Sequence, residues 1–213
     1  MLENLNLFNL ALMIIPVLLA LTGHEFAHAW AAHRLGDDTA RQAGRLTLNP
    51  LAHLDVLGTI FLFVSQLFGW AKPVPIDPRN FRRPGRDLAL VALAGPLLNL
   101  TLALIFGLAL KIIFLAGFFP LLASSPTGAA ILKLLYLIIL INIALGFFNL
   151  LPLPPLDGFQ VLATFLPPYW SYFLADRRYN LIFLIIFVIL AYQGFFRHLF
   201  RFLEYYIIRI IFT

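Results

Sequence analysis

The chain has 213 residues, of which 62% are hydrophobic and only 12% are charged, and its formal net charge is +5. Soluble domains carry about 45–50% apolar and about 25% charged residues, and a globule of this size cannot bury so much apolar surface. The composition excludes an ordinary soluble domain and a disordered chain, and predicts an all-α polytopic membrane protein in a lipid bilayer. The basic residues lie mostly between apolar segments, so we interpret them as loop anchors and expect no nucleic-acid partner.

The first apolar stretch runs from Leu5 to about Arg34, which exceeds the length of about 20 residues that a spanning helix needs. It has neither a basic leading region nor a small-residue cleavage site, so we expect a retained helix and not a signal peptide. Its second half contains His24, Glu25 and His28. Ionisable side chains inside a spanning helix cost free energy, so these three residues require a functional explanation.

A polar, turn-rich stretch follows, in which the alternating residues GRLTLN predict a short strand or β-hairpin at about Arg45–Asn49, on the cytoplasmic side. The next apolar run, Val56–Trp70, is too short to cross a hydrocarbon core of about 30 Å as a helix, so we predict a re-entrant segment. The stretch AKPVPIDPRNFRRPGRD is rich in proline and arginine, which indicates an ordered extended loop.

Three longer apolar runs predict further helices, over Leu88–Phe118, Ala129–Leu151 and Leu181–Phe196. Phe159–Trp170 indicates a short interfacial segment, and the tail after Phe196 mixes arginine with aromatic residues, as interfacial helices do. No long polar linker divides the chain. We therefore predict one integral-membrane domain over residues 1–213, with a core at about 5–158 and a C-terminal span and tail at about 180–213.

The residues HEFAH, from His24 to His28, form an H-E-x-x-H pattern. Residues four apart on a helix lie on one face, so both imidazoles can bind the same tetrahedral zinc ion. Glu25 can then act as general base beside a metal-bound water. A catalytic zinc usually has three protein ligands, so the third must come from elsewhere. The candidates are His53, Asp55, Asp157, Asp37 and Asp38. Asp157 by itself also fits a solvated residue of the turn in LPPLDG.

HEFAH, followed far downstream by NLLPLPPLDG, resembles the signatures of the site-2 protease family of intramembrane zinc metalloproteases. The second signature of that family, N-x-x-P-x-x-x-L-D-G, is matched at every fixed position from Asn149 to Gly158. AGPLLN also resembles the family pattern G-P-x-x-N, at Gly95, Pro96 and Asn99. LNPLAHLDVLGT and GWAKPVP are similar to a compact prokaryotic branch without a PDZ domain, and the motifs leave no room for one between them.

The resemblance implies one zinc ion per chain, held by His24, His28 and Asp157, with Glu25 as the catalytic acid and base. It also implies that Asn149 is a substrate-binding or oxyanion-stabilising amide. The implied activity is hydrolysis of peptide bonds in a transmembrane protein or peptide substrate. His53 is not part of the shared pattern. A group that supports the ligands and an extra ligand are both open for it, and we favour a loop histidine.

The implied ligands constrain the topology. His24 and His28 lie near the end of one helix and Asp157 lies just past the end of another, so both helices must cross the membrane in the same direction. Val56–Trp70 then cannot cross fully. With that topology most basic residues share one face, which we expect to be the cytoplasmic face of the prokaryotic cell (inner) membrane, with the active site toward the cytoplasm. These residues are Arg34, Arg41, Arg45, Lys72, Arg79, Arg82, Arg83, Arg86, Arg177 and Arg178.

The residues leave two other functions open. Intramembrane histidines and acids also mark ion pathways, so a metal-ion transporter or a metal-binding scaffold without proteolysis is the alternative. A membrane enzyme with a non-peptide substrate is a third, which the family resemblance disfavours. For a protease, a strand at about Arg45–Asn49 is expected to pair with an extended substrate by β-addition.

Overall fold

The structure is a computed structural model, and it describes residues 7–56, 58, 71–167, 185, 189 and 193–212. These residues are mostly helical, and the described residues between Leu35 and Arg83 are called the long loop. The α-helices are α1 (Leu7–Arg34), α2 (Thr39–Gln42), α3 (Pro84–Leu115), α4 (Phe118–Ala123), α5 (Pro126–Asn149), α6 (Asp157–Ala163) and α7 (Phe195–Phe212). Two 3-10 helices lie in the long loop, at Pro50–Ala52 and Pro78–Asn80.

Three of these helices are long and apolar enough to cross a membrane, over Leu12–Arg34, Pro84–Leu115 and Pro126–Asn149. This confirms a helical integral membrane protein. α3 and α5 begin a few residues before the apolar runs because each has a proline in its first turn, where a missing N–H costs nothing. The side chain of Ser125 also accepts a hydrogen bond from the backbone N–H of Gly128 and so caps α5.

α3 runs antiparallel to both α1 and α5. His24 of α1 bonds to Asn99 of α3, and His28, one turn later on α1, bonds to Val91, two turns earlier on α3. Between α3 and α5, Asn99 bonds to Asn142. Four residues further along α5, a Cβ added at Gly146 would lie 3.2 Å from the carbonyl oxygen of Pro96, three residues earlier on α3. The two contacts show that α3 and α5 are antiparallel. α1 and α5 therefore run in the same direction, as the proposed ligand set requires.

No strand is present at 45–49 in the part of the chain that the structure describes, so the predicted β-hairpin is wrong. Arg45 is buried, and its guanidinium donates to the carbonyl oxygen of Ala52. The ring of His53 bonds to the carbonyl oxygen of Thr47, over 2.8 Å. Backbone groups that a hairpin would pair are thus hydrogen-bonded to side chains and within turns. Among the described residues the β-pairing is an isolated antiparallel bridge between Leu54 and Ala71.

Two predicted segments fall largely outside the described residues. They are the re-entrant run Val56–Trp70 and the span Leu181–Phe196. The interfacial segment Phe159–Trp170 is described as far as 167 and begins within α6. The tail forms the helix α7, and Ile207 on it packs in a cluster with Leu110 of α3 and with residues of α5.

A buried carboxylate holds the long loop against the end of α1. Asp37 is fully buried, and it accepts hydrogen bonds from the backbone N–H and hydroxyl of Thr39, the backbone N–H of Asp77 and the side-chain amide of Asn80. Burial raises the pKa of the Asp37 carboxyl, but these hydrogen bonds outweigh that effect and hold the pKa below its ordinary value. Nearby, Arg79 donates to the half-buried Asp77 carboxylate and lowers its pKa to about 2.

Candidate metal centre

Three side chains with metal-binding atoms converge where α1 and α3 meet the start of α6. Nε2 of His24 lies 3.0 Å from Nε2 of His28. Oδ2 of Asp157 lies 3.0 Å from Nε2 of His24 and 3.4 Å from Nε2 of His28. Both imidazoles are buried, and the Asp157 side chain is 22% exposed, so the cluster is shielded but accessible from the carboxylate side. The structure therefore brings together the three residues that the sequence predicts as ligands.

Hydrogen bonds at the far nitrogen of each ring determine which atom faces the cluster. Nδ1 of His28 lies 2.7 Å from the carbonyl oxygen of Val91, which can only accept, so Nδ1 donates. Nδ1 of His24 lies 2.7 Å from Oδ1 of Asn99, whose amide nitrogen donates to two other oxygens. Oδ1 of Asn99 thus accepts from His24. Both Nε2 atoms keep a lone pair that faces the cluster, which is the arrangement of metal-binding histidines.

This donor set fits a zinc ion. Two imidazole nitrogens and one carboxylate oxygen are ligands that zinc commonly takes in catalytic sites. Tetrahedral zinc with bonds of about 2.0–2.1 Å places its ligand atoms about 3.3 Å apart, close to the separations in this cluster. Oδ2 of Asp157 is buried and has no hydrogen-bond partner among the described residues. Three acceptor atoms that face one another without a proton between them repel, and a cation converts that repulsion into attraction.

Two glycines permit close approaches that build the cluster. A Cβ added at Gly95 of α3 would lie 2.5 Å from Nε2 of His28 and 2.7 Å from Cε1 of His24, so no larger residue fits there. A Cβ added at Gly158 would lie 2.2 Å from the carbonyl oxygen of Leu150, because the turn folds α6 back onto the end of α5. This turn carries Asp157 to the histidines.

Glu25 is half-buried beside the first ligand, and the long loop reaches it. The backbone N–H of Val74 donates to Oε2 of Glu25 over 3.2 Å. Val74 lies between Pro73 and Pro75, which have no N–H, so it supplies the one backbone donor of that tripeptide. The bond joins Glu25 to a loop that Asp37 holds in place through Asp77.

Asn149, the last residue of α5, donates its side-chain amide to the carbonyl oxygen of Leu145 in its own helix, over 3.0 Å. One N–H of that amide therefore serves the helix, and its role toward a substrate stays a prediction. The other candidate ligands bond elsewhere, and His53 is a buried loop histidine. Their partners are Thr47 for His53, Gly58 for Asp55, His33 for Asp38, and Thr39, Asp77 and Asn80 for Asp37.

Sequence reasoning missed three contacts of this site. It identified Asn99 within a family signature but did not assign it to the His24 ring. It did not single out Asn142, although an amide inside the apolar run LIILINIALG is the kind of polar residue that a membrane helix keeps for a reason. It also did not anticipate that the N–H of Val74 reaches Glu25, because that contact joins positions 49 residues apart.

The fold and the site define a membrane-embedded helical protein with a His-His-Asp cluster that could hold a metal ion, and with an adjacent glutamate. Residues 12–193 match the model of peptidase family M50, and the chain belongs to that family, the site-2 protease family. It is accordingly a zinc metallopeptidase of the membrane. This confirms the resemblance, the zinc cofactor and the intramembrane protease function, and it disfavours the transporter or scaffold.

Several curated relatives support the assignment. The chain is 44% identical over 156 residues to "Putative zinc metalloprotease YwhC" of Bacillus subtilis (strain 168), covering 73% of this chain and 69% of the relative. It is 34% identical over 174 residues to "Putative zinc metalloprotease Rip2" of Mycobacterium tuberculosis (strain ATCC 25618 / H37Rv), covering 79% of this chain and 63% of the relative. For the Rip2 of Mycolicibacterium smegmatis the identity is 35% over 161 residues, 74% of this chain and 58% of the relative. The chain thus spans less than two thirds of the length of these two Rip2 proteins. No solved structure gives a significant match to the chain.

Proposed function

We propose that His24, His28 and Asp157 hold the catalytic zinc ion, and that Glu25 is the acid and base for hydrolysis of peptide bonds in membrane-spanning substrates. The observation that carries this proposal is the convergence of three metal-ligand atoms within 4.8 Å of one another, beside Glu25, in a member of family M50. Asp157 lies more than 120 residues from the two histidines of α1, so a chance coincidence of motif and geometry is a poor explanation.

When bound, zinc polarises the scissile carbonyl and lowers the pKa of a coordinated water to about 7. Glu25 takes a proton from the attacking water and later passes it to the leaving nitrogen. The Val74 N–H holds one carboxylate oxygen of Glu25, so the other oxygen is the one that exchanges the proton. Asn149 stabilises the developing oxyanion with the amide N–H that its own helix does not use.

The substrate is a transmembrane protein or peptide whose helix unwinds locally before cleavage, since helical peptide bonds are shielded by side chains and hydrogen bonds. The cluster lies within the bundle at the depth of the second half of α1, and Arg34 marks the end of that helix. His24 is ten residues before Arg34, which places the zinc site about 15 Å from that end.

We propose that this end faces the cytoplasm. Arg34 ends α1, while Arg83 and Arg86 lie at the start of the antiparallel α3, so these basic residues share one end of the bundle. Lys111 and Lys133 lie toward the other end of α3 and α5. The richer end is the cytoplasmic one by the positive-inside rule.

The run Val56–Trp70 is proposed to leave the long loop and return to it without crossing. Supporting this, the backbone N–H of Lys72 donates to the carbonyl oxygen of His53 over 2.8 Å, so the two ends of the run meet. We also propose that residues 1–213 form one domain. The chain contains no cysteine, so single cysteines introduced at Arg41 and Arg82 can be labelled selectively. Labelling from opposite sides of the membrane would contradict the proposed topology.

The test of the catalytic proposal compares zinc content and cleavage of a generic single-span substrate. The parent should bind one zinc per chain and cleave, and His24→Ala and Asp157→Ala should lose both properties. Glu25→Gln should keep its zinc and lose cleavage by about 10²–10⁴-fold. Zinc-dependent flux in liposomes, with no cleavage by the parent, would identify a transporter instead. Full zinc binding by Asp157→Ala would overturn the ligand assignment.

A further inference from the structure

A chain of buried amides leads away from the candidate metal centre and joins α1, α3 and α5, the three candidate spans among the described residues. Nδ1 of His24 in α1 donates to Oδ1 of Asn99 in α3 over 2.7 Å. Nδ2 of Asn99 donates to Oδ1 of Asn142 in α5 over 2.8 Å, and also to the carbonyl oxygen of Ala20 over 3.1 Å. Nδ2 of Asn142 donates to the carbonyl oxygen of Ile138 over 2.9 Å. Asn99 and Asn142 have no exposed surface.

The direction of every bond in this chain is determined from its far end. The Ile138 carbonyl can only accept, so the nitrogen of the Asn142 amide faces it and the oxygen faces Asn99. That oxygen requires a donor, so Asn99 presents its nitrogen to Asn142 and its oxygen to His24. The oxygen in turn requires the proton on Nδ1 of His24. The amide of Asn142 therefore sets the tautomer of a ring that it does not touch.

We propose that Asn142 is a positioning residue for the zinc site, acting through Asn99 to keep Nε2 of His24 free and aimed at the metal. This inference rests on the proposed ligand set. Two observations distinguish it from ordinary burial of a polar residue. Both amides are fully buried, and each amide oxygen has a donor: Nδ1 of His24 for Asn99, and Nδ2 of Asn99 for Asn142. Partners of this kind raise the affinity of histidine ligands for metals by fixing their orientation.

The decisive measurement is the affinity of the purified full-length chain for zinc, by competition with a chromophoric chelator, in detergent or nanodiscs. Asn142→Leu removes both amide groups at similar volume, and we expect zinc affinity to fall about tenfold, the lower end for loss of an outer-shell partner. Asn142→Asp keeps the acceptor oxygen for Asn99 and should restore most of the affinity. Ile139→Ala is the matched control, because it opens a cavity in the apolar cluster around Leu110 and leaves the amides intact.

A double-mutant cycle tests the path of the effect. If Asn142 acts through Asn99, then Asn99→Leu combined with Asn142→Leu should weaken zinc binding no further than Asn99→Leu does by itself. Additive losses would overturn the proposal, as would an Asn142→Leu variant with the parent's zinc affinity. A loss equal to that of Ile139→Ala would also overturn it, because the effect would then follow from general destabilisation.

A spectroscopic measurement covers the case in which Asn142→Leu does not fold. The milder Asn142→Ser variant, with ¹⁵N-labelled histidine and zinc removed, should show a His24 signal that mixes the two tautomers, whereas the parent shows the Nδ1–H form. A single unchanged tautomer would contradict the inference. Failure of the parent itself to bind zinc would overturn the proposed function. The His24 tautomer in the zinc-free protein would still test whether Asn142 acts on that ring.

Discussion

Two shielded carboxylates in this molecule have opposite surroundings. Asp37 accepts hydrogen bonds from N–H and O–H groups of Thr39, Asp77 and Asn80, so its negative charge is fully met by protein donors. Asp157 instead directs its buried Oδ2 at two imidazole nitrogens that carry lone pairs. A carboxylate surrounded by donors stabilises the fold, whereas one surrounded by acceptors is arranged for a cation. The difference separates the structural loop from the reactive site.

The same substitution at the two positions should therefore have different consequences. Asp157→Asn removes the charge and one oxygen of the proposed ligand set. Zinc affinity should fall by more than about 10–100-fold, which is the loss expected for an outer-shell partner. The zinc-free protein should melt at the same or a higher temperature, because an amide N–H can donate to a histidine lone pair. Chelator competition and thermal unfolding measure both effects. A zinc-free protein strongly destabilised by Asp157→Asn would break the comparison.

Asp37→Asn is the matched change in the loop, and its effect should be on stability alone. The new NH₂ group would face N–H and O–H donors, so we expect a loss of about 1–3 kcal/mol of unfolding free energy. Zinc affinity should stay at the parent's value, since no ligand contacts Asp37. Thermal unfolding of the zinc-free protein measures the loss. A variant with parental stability, or with weakened zinc binding, would contradict the structural role of Asp37.

Val74 links the two regions, and removing its N–H should produce a smaller, purely kinetic effect. Val74→Pro deletes the donor to Glu25 in a segment whose neighbours are already prolines, so the extended backbone is retained. We expect kcat to fall about tenfold, a part of what the acid–base group contributes, with KM and zinc content unchanged. Val74→Ala keeps the N–H and serves as control. An equal loss in both variants would show that the Val74 side chain, and not its N–H, matters.

The sequence predicted the parts of the site that depend on local spacing. His24 and His28 share a helix face because of the helical period, and Glu25 follows from the same pattern. Asp157 needed the family resemblance, since spacing along the chain does not say which carboxylate folds back onto the histidines. The link from Asn142 to His24 depends on how three helices pack, which no local pattern encodes.

The loop was harder to predict for a different physical reason. The alternation in GRLTLN indicates a strand if Arg45 points to solvent, but its guanidinium is buried and binds backbone carbonyls instead. Within the predicted strand, the ring of His53 bonds to the carbonyl oxygen of Thr47, which a partner strand would otherwise pair. The predicted spans, by contrast, depend on composition and length, and three of them correspond to helices of the described residues whose ends differ by a few residues.

The smallest expected effect is the acid dependence of the loop's stability. The folded-state pKa of Asp37 is lowered, so its stabilisation is fully present above the unfolded value of about 3.9 and is lost as the pH falls through the lower folded value. The difference in melting temperature between the zinc-free parent and Asp37→Asn should therefore shrink below about pH 4. Asp77, whose pKa is about 2, titrates with the same sign. Repeating both measurements in an Asp77→Asn background, which keeps the N–H to Asp37, isolates the Asp37 contribution. A difference that stays constant or grows on acidification would show that the hydrogen bonds to Asp37 do not favour its charged form.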